Sequence, residues 1–487
     1  MVLLVLGAVA ALVAWFPGRD GVERSDVPRS PIAATVGDEG GSWYCAAVGI
    51  GVEGAESAVV VTSVGDGEAA VRLDGFGAEG PAGTLEVTLA AGATEVVDVV
   101  ASLGAEARSV MVEADAPVVV EHRTFSTAGA DQAPCSTFSS DSWYFPAVVT
   151  SRDATASLAL FNPFPGDASV DVEVALDTGV RKPAALSGLV VPAGTTSFVD
   201  LGESVQRRDQ FSVTVRTRSG GVVAELAQVF NGTGDLPVKG VRLVPGTRTP
   251  QASWALAGGF ADAAARERVV VLNPSETPVT VLVQVVPYGG TETLPEPFEL
   301  TVPGLRYQSV DLDQESRVSQ VGFHSVEVES VDGSPVVAAR SLDVTGSADG
   351  GEANPLRTSI AGGTTTSPAG AAAVQRWVST GVGADDQQTG LVFVHNPAAE
   401  PTVAELVAVA PDGTAGEPVE YEVPAGDSVA VALSELSTEA GIFAAVVQAD
   451  TPVVVERLLV FPGAADVSLQ SSVPVLGDLD GLEVLGG

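Results

Sequence analysis

The sequence predicts an all-β chain: tandem immunoglobulin-like or fibronectin-like β-sandwich modules following one N-terminal hydrophobic helix. Three observations predict it. A tryptophan recurs four times, at Trp43, Trp143, Trp254 and Trp377, and nineteen residues after each stands Thr62, Asn162, Asn273 or Asn396, the three asparagines each followed by proline. Between these marks the apolar residues alternate with period two, as a half-buried strand requires. Glycine- or proline-bearing turn signals then interrupt the chain every 8 to 12 residues, the spacing of a sandwich made of short strands.

Each unit runs through the same order. An apolar strand precedes the Asn-Pro, as in Leu158 to Phe161 or Leu391 to Val394. Proline ends that strand by withholding an N–H, and the asparagine side chain can bond the turn backbone, so Asn162, Asn273 and Asn396 are read as turn residues. An alternating strand follows, such as Val170, Val172, Val174 and Leu176, then a turn such as Asp177-Thr178-Gly179. A Pro-Ala-Gly-like corner comes next, and the unit closes on a hairpin whose second strand is Pro117 to Glu121, Gly221 to Glu225, Pro335 to Ala339 or Pro452 to Glu456, the prolines being acceptable at the first strand position. The tryptophans hold one repeat-equivalent position, which marks them as core anchors rather than exposed rings.

These limits place sandwiches at residues 41–126, 141–231, 252–345 and 376–462. The Gly, Ser, Thr and Asp-rich stretches between them are expected to be connectors, with 346–375 a flexible linker that frees the fourth module and 463–487 a loose tail. Residues 1–17 are read as a signal anchor or, second, a cleaved signal peptide, and 18–40 as a linker. Met1 to Phe16 is apolar and uncharged; as a helix it would cover about 24 Å against a roughly 30 Å hydrocarbon core. No basic segment precedes it and Arg19, Arg24 and Arg29 follow, which we read as a start placed too far downstream.

Charge narrows the function classes. The net charge is −38, and of 24 basic residues only Lys182 and Lys239 are lysines. Without clustered cations to neutralise phosphates, nucleic acid is excluded as a partner. The two cysteines, Cys45 and Cys135, are too far apart in sequence for a zinc or redox motif, and are expected to form one disulfide in an oxidising compartment, stapling the first module.

The candidates for chemistry are few. Three histidines, His122, His324 and His395, fall in three modules at non-equivalent positions, which argues against a triad or metal cluster. Glu121, Glu225 and Glu456 recur at one repeat position, where the third unit has Ala339. With Arg123, Arg340 and Arg457 nearby, edge-strand salt bridges are expected there. Asp385-Asp386 and Asp478-Leu479-Asp480-Gly481 are too short for a calcium loop. No catalytic, cofactor-binding or metal-ligating residue and no cofactor is assigned.

The Trp-Tyr-Cys opening, the Phe-Asn-Pro and His-Asn-Pro turns and the Pro-Val-Val-Val-Glu closing strands together resemble an uncharacterised actinobacterial family of exported, membrane-anchored β-sandwich-repeat proteins, a domain of unknown function. The resemblance covers nearly the whole chain after the anchor and brings no catalytic residues. It implies an accessory role in cell-envelope glycan assembly.

The expected function is a non-enzymatic scaffold or spacer, single-pass in the cell membrane through the N-terminal segment, with the modules outside. Its expected partners are envelope proteins or glycans. A carbohydrate-binding protein for cell-wall glycans is the alternative, and an enzyme comes third.

Overall fold

The structure is a computed structural model and describes residues 34–37, 39–50, 54–233, 238–261, 265–290, 294–318, 321–344, 363–368, 370, 373–437 and 441–476. The N-terminal helix, the Asp478 to Gly481 segment and most of the 346–375 linker lie outside the described residues. What is described is nearly all β, in four sandwich modules.

In the first module the strands are β1 (Ser42–Cys45), β2 (Glu56–Ser63), β3 (Ala69–Phe76), β4 (Pro81–Leu89), β5 (Thr94–Asp98), β6 (Ser109–Ala114), β7 (Val118–Phe125) and β8 (Ala130–Pro134). They form two antiparallel sheets, β1-β6-β3-β4 and β5-β2-β7-β8. The second module has β9 (Ser142–Val148), β10 (Ala154–Asn162), β11 (Ala168–Leu176), β12 (Gly179–Arg181), β13 (Leu189–Val191), β14 (Thr195–Asp200), β15 (Phe211–Ser219), β16 (Val223–Asn231) and β17 (Lys239–Pro245). Its sheets are β12-β11-β15-β9, with β13 also on β11, and β14-β10-β16-β17.

The third module repeats the plan with β18 (Ser253–Ala261), β19 (Ala265–Leu272), β20 (Val279–Pro287), β21 (Phe298–Val302), β22 (Tyr307–Asp311), β23 (Gly322–Ser330), β24 (Val337–Val344) and β25 (Gly363–Pro368). The fourth has β26 (Val374–Gly383), β27 (Thr389–His395), β28 (Thr402–Val409), β29 (Val419–Val423), β30 (Ser428–Ala432), β31 (Ile442–Phe461), β32 (Asp466–Ser471) and β33 (Val473–Val475). "Immunoglobulin-like" describes the layers; the strand order is its own. In the immunoglobulin order the first strand pairs with the second and the seventh with the sixth. Here β1 pairs with β6 and β7 with β2.

That order corrects the expected closing hairpin. β6 and β7 lie in different sheets, as do β15 and β16, and in the fourth module one long strand, β31, serves both. The chain crosses between sheets at Pro117, Gly221, Pro335 and Pro452, where a proline withholds its ladder N–H in three of the four. The tryptophans pin this crossover. Trp143, Trp254 and Trp377 are buried and donate Nε1–H to the carbonyls of Val222, Val336 and Val453 at 3.1, 2.9 and 2.9 Å. Trp43 is likewise buried.

The Asn-Pro turns are as regular. Asn162, Asn273 and Asn396 are fully buried. Each Oδ1 accepts from the backbone N–H two residues on, at Phe164, Ser275 and Ala398. Each Nδ2 donates to the carbonyl four residues on and to a facing carbonyl, Val191, Val302 or Val423. In the first module Thr62 bonds Thr94 at 2.8 Å instead.

The stretches expected to be connectors carry the strands equivalent to β8, called eighth strands after their place in the first module, as the equivalents of β7 are called seventh, and this corrects the module limits. β8, β17, β25 and β32 each pair with the seventh strand of their own module. The chain beyond each then returns to the first strand of the same module: Tyr44 pairs with Ser136, Tyr144 with Thr247, Ala255 with Gly370, and β26 with β33. The Cys45–Cys135 disulfide lies at the first of these returns and ties one sheet of the first module to the chain leaving the other.

The modules close into a ring. β8 packs on β17 and β32, and β25 packs on β17 and β32, so the four eighth strands surround one axis. The tip of one module's hairpin seats on the next module's edge strand. Thr196 N–H donates to the Gly77 carbonyl, and Thr94 N–H to the Pro411 carbonyl, which joins the fourth module back to the first. Val36, ahead of the first module, completes the closure by pairing with Val475 in parallel. Apolar clusters run across the joints, with Phe76 inside the second module's core and Val407, Val446 and Val473 inside the first's. Such docking covers strand edges that would otherwise invite aggregation.

A fourth module that moved freely would fold whether or not the tail were present. The ring instead makes the tail part of the fourth and first modules together. A chain ending at residue 462, which lacks β32 and β33, is therefore expected to lose cooperative thermal unfolding and elute as aggregate in size-exclusion chromatography. A truncated chain that melts like the full one would contradict the ring.

Candidate functional site

Four edge strands meeting at an axis pose a hydrogen-bonding problem, because buried backbone groups without partners are costly. Side chains solve it. Asp466 is fully buried and its carboxylate accepts four backbone N–H groups, from Ala130, Val241, Thr364 and Val467, at 3.0, 2.8, 2.9 and 2.9 Å. These four residues are the same position of the four eighth strands, each four residues before Pro134, Pro245, Pro368 or Ser471, which sit opposite the Glu position of the seventh strand. One carboxylate thus sits on the pseudo-fourfold axis.

The position of Asp466 itself is Gly129, Gly240 and Gly363 in the other three strands. Space requires glycine at 129 and 240 and leaves a side chain at 363 only a tight fit. A Cβ on Gly240 would stand 2.6 Å from Asp466 Oδ1, and one on Gly129 would be closer still to Oδ2. Along the axis, Asp131 accepts from the N–H groups of Gln132 and Leu243 at 2.8 and 2.6 Å. The carbonyls of Gln132, Leu243 and Leu469 are met by Ser468, Gln470 and Thr365. Burial raises the Asp131 pKa to about 7, the backbone donors opposing it. Burial also pushes Asp466 well above the carboxylate range, against the N–H donors and with Asp131 adding to the rise.

The repeated glutamates lie further out, in the joints rather than at strand edges. Glu225 of the second module accepts from His122 of the first at 2.7 Å and from Ala47 N–H at 3.0 Å. Glu121 of the first accepts from Arg457 of the fourth, and from Thr380 N–H at 3.3 Å. Glu456 of the fourth accepts from Arg340 of the third at 2.7 Å and from Gly258 N–H at 2.7 Å. Each pair is buried and joins neighbouring modules, which corrects the expected edge-strand bridges. Arg123 takes no part; it lies over the Phe125 ring.

The joint between the second and third modules is built differently. Its two ion-pair positions hold Ala339 and Leu226, so the acid and the cation are missing together, and no buried charge is stranded. The other joints also carry aromatic pairs: Phe76 with Phe161, Phe125 with Phe461, and Tyr288 and Phe323 with Phe393. Among the described residues no ring pair crosses the second joint. Polar contacts replace it: Arg268 bonds Asp311 of its own module and Gln210 of the second at 2.8 Å, and Arg242 bonds Asp343 at 2.5 Å and Thr364 at 2.6 Å. A cleft of about 640 Å³ opens here, lined from both modules.

The three histidines are separate and buried. His122 faces Glu225, His324 faces Glu267 at 3.1 Å, and His395 bridges Glu327 and Ser428 at 3.0 and 2.9 Å. For His122, burial lowers the pKa but the Glu225 charge and hydrogen bond overcome it, and the net shift is upward. Asp385 accepts from the N–H groups of Gln387 and Gln388 in its own turn and from that of Gly441, just ahead of β31. Among the described residues no group of histidine, cysteine and acidic side chains could hold a metal ion.

The sequence marked the glutamates and histidines as recurrent or rare but did not place them in joints. It missed Asp466 altogether, which fell in the supposed tail. The three glycines that align with it were the signal available.

A family model described as "Family of unknown function (DUF5719)" matches residues 126–353, so a domain of unknown function is found there. The matched segment holds every residue lining the cleft. No curated protein matches the chain. Among solved structures, Thermotoga maritima 1070 is similar at 14% identity over 25% of this chain and 93% of that one, with a TM-score of 0.19. The tetra-tandem repeat in the extending region of a large adhesion protein covers 89% and 99% at 12% identity and a TM-score of 0.11. Streptomyces avermitilis alpha-L-rhamnosidase, complexed with L-rhamnose, covers 82% and 55% at 10% and 0.12. Likenesses at these TM-scores carry no argument.

Two outcomes are expected of the axis and joints. Replacing Arg457 by leucine strands the Glu121 charge and is expected to cost about 3–5 kcal/mol in denaturant unfolding. The double change Glu121→Ala with Arg457→Leu copies the natural Ala339 and Leu226 pair and is expected to recover most of that loss. Unfolding that is additive across the cycle would contradict the pairing.

The second outcome concerns pH. A carboxyl whose folded pKa is raised stabilises fully below its unfolded value, and that contribution is lost as pH rises through the folded value, here about 7 for Asp131. The raised His122 acts in the same direction, its contribution present below its ordinary value near 6.5. The melting temperature is therefore expected to fall by several degrees from about pH 5 to about pH 8, with a shallower fall in Asp131→Asn, measured by calorimetry.

Proposed function

We propose that this chain is a non-enzymatic interaction scaffold of the bacterial cell envelope, extracytoplasmic, tethered by its N-terminal segment and accessory to envelope glycan assembly in an actinobacterial type of envelope. The observation that carries the reading is the use made of the titratable groups. The three histidines and the repeated glutamates, the groups best suited to acid–base chemistry, are buried in ion pairs and hydrogen bonds, most of which close the joints. They serve rigidity.

A ring in which β33 returns to β26 and to Val36 gives the four modules little reach, so the reading is a scaffold and not a spacer. Its advantage is a fixed relative placement of four surfaces. The Cys45–Cys135 disulfide supports an oxidising compartment. No helix among the described residues is long and apolar enough to cross a membrane, and the Met1 to Phe16 segment lies outside them. The expected partners are envelope proteins or glycans.

The test is fractionation with thiol labelling and cross-linking in cells. The chain is expected in the membrane fraction, with Cys45 and Cys135 protected from alkylation until reduced, and with envelope proteins cross-linked to it. A cytosolic chain with two free thiols would refute the proposal.

A further inference from the structure

We propose that the cleft between the second and third modules binds a neutral, polyhydroxylated ligand, a short oligosaccharide. The cleft occupies the one joint that lacks both the buried ion pair and an aromatic pair across it among the described residues. Its volume of about 640 Å³ lies within the range of small-molecule sites, about 300–1,000 Å³.

Its chemistry selects the ligand. Five arginines and six carboxylates line it, in a chain of net charge −38, so its walls carry almost no net charge. Most are locked together: Arg268 with Asp311, Arg242 with Asp343, and Arg266 with Asp313 at 3.9 Å. Locked pairs present alternating donors and acceptors at fixed places. A sugar hydroxyl both donates and accepts, so a row of them matches such a wall, whereas an anion would face the carboxylates and a cation the guanidinium groups.

The rim supplies groups still free to bond. The Nε2 of Gln210, whose Oε1 accepts from Arg268, is an unpartnered donor buried behind the wall and does not face the ligand. Arg207 and Asp209, also on the wall, are exposed. Arg207 adopts a φ of 53°, one of three non-glycine residues in the described chain with positive φ, a strained conformation of a kind that clusters at binding sites. Phe230 offers no stacking platform, because it is buried and the Arg242 guanidinium lies over its ring at 4.4 Å. Recognition rests on hydrogen bonds.

The full chain is to be tested on an array carrying neutral, uronic and sulfated oligosaccharides, alongside Arg207→Ala, Asp209→Ala and the exposed control Arg181→Ala. These substitutions are at exposed positions and leave the ring contacts intact. Neutral oligosaccharides are expected to be retained by the parent chain and the control. Either cleft variant is expected to bind at least about ten-fold more weakly, about 1.4 kcal/mol. The proposal is overturned if no neutral oligosaccharide is retained, if only charged ones are, or if both cleft variants bind as the parent does.

Discussion

The carboxylate of Asp466 receives four backbone N–H groups, one from each module, and the ring is organised around that contact. Four strand edges brought to a common axis cannot all pair with one another by ordinary ladders. A single acceptor with two oxygens can serve four donors only if the other three strands yield it the space, and Gly129, Gly240 and Gly363 do so. The symmetric backbone therefore demands an asymmetric sequence: one aspartate and three glycines. The same division recurs along the axis, where Asp131, Thr365, Ser468 and Gln470 each serve a neighbour's backbone.

Outside the axis the joints show how repeated modules diverge without breaking the ring. Burying a charge without its partner costs more than burying an apolar pair in its place. Glu225 with His122, Glu121 with Arg457 and Glu456 with Arg340 keep both members, whereas Ala339 and Leu226 keep neither. Read along one chain, Ala339 is a lost glutamate. Across the joint it is half of a matched change, and the polar wall of Arg268, Gln210, Arg242 and Asp343 takes over the contact.

Much of each module was legible because it depends on local periodicity. The alternating valines of β11 and β20 place one face inward whatever their neighbours do, and the Asn-Pro turns bond within a few residues and to one facing strand. The boundaries were less legible. Segments such as 126–141 and 231–251 are rich in Gly, Ser and Thr, a composition that suits loops, but here small residues are needed because β8 and β17 crowd against other backbones at the axis. The crossover at Pro117 or Pro452 was mistaken for a hairpin because a strand that changes sheets and one that turns back share the same alternation.

By itself the sequence determined the all-β class, the count of four modules, the buried tryptophans, the Asn turns and the single disulfide, since each follows from spacing or residue chemistry within one unit. Only the tertiary structure decided that the modules close on an axis, that the repeated glutamates and two of the three histidines are joint contacts, and that the second joint opens a cleft. Those outcomes rest on contacts between residues of different modules, far apart in sequence, such as Ala130 with Asp466 and His122 with Glu225. No periodicity records a partner in another repeat; the geometry that brings the two together does.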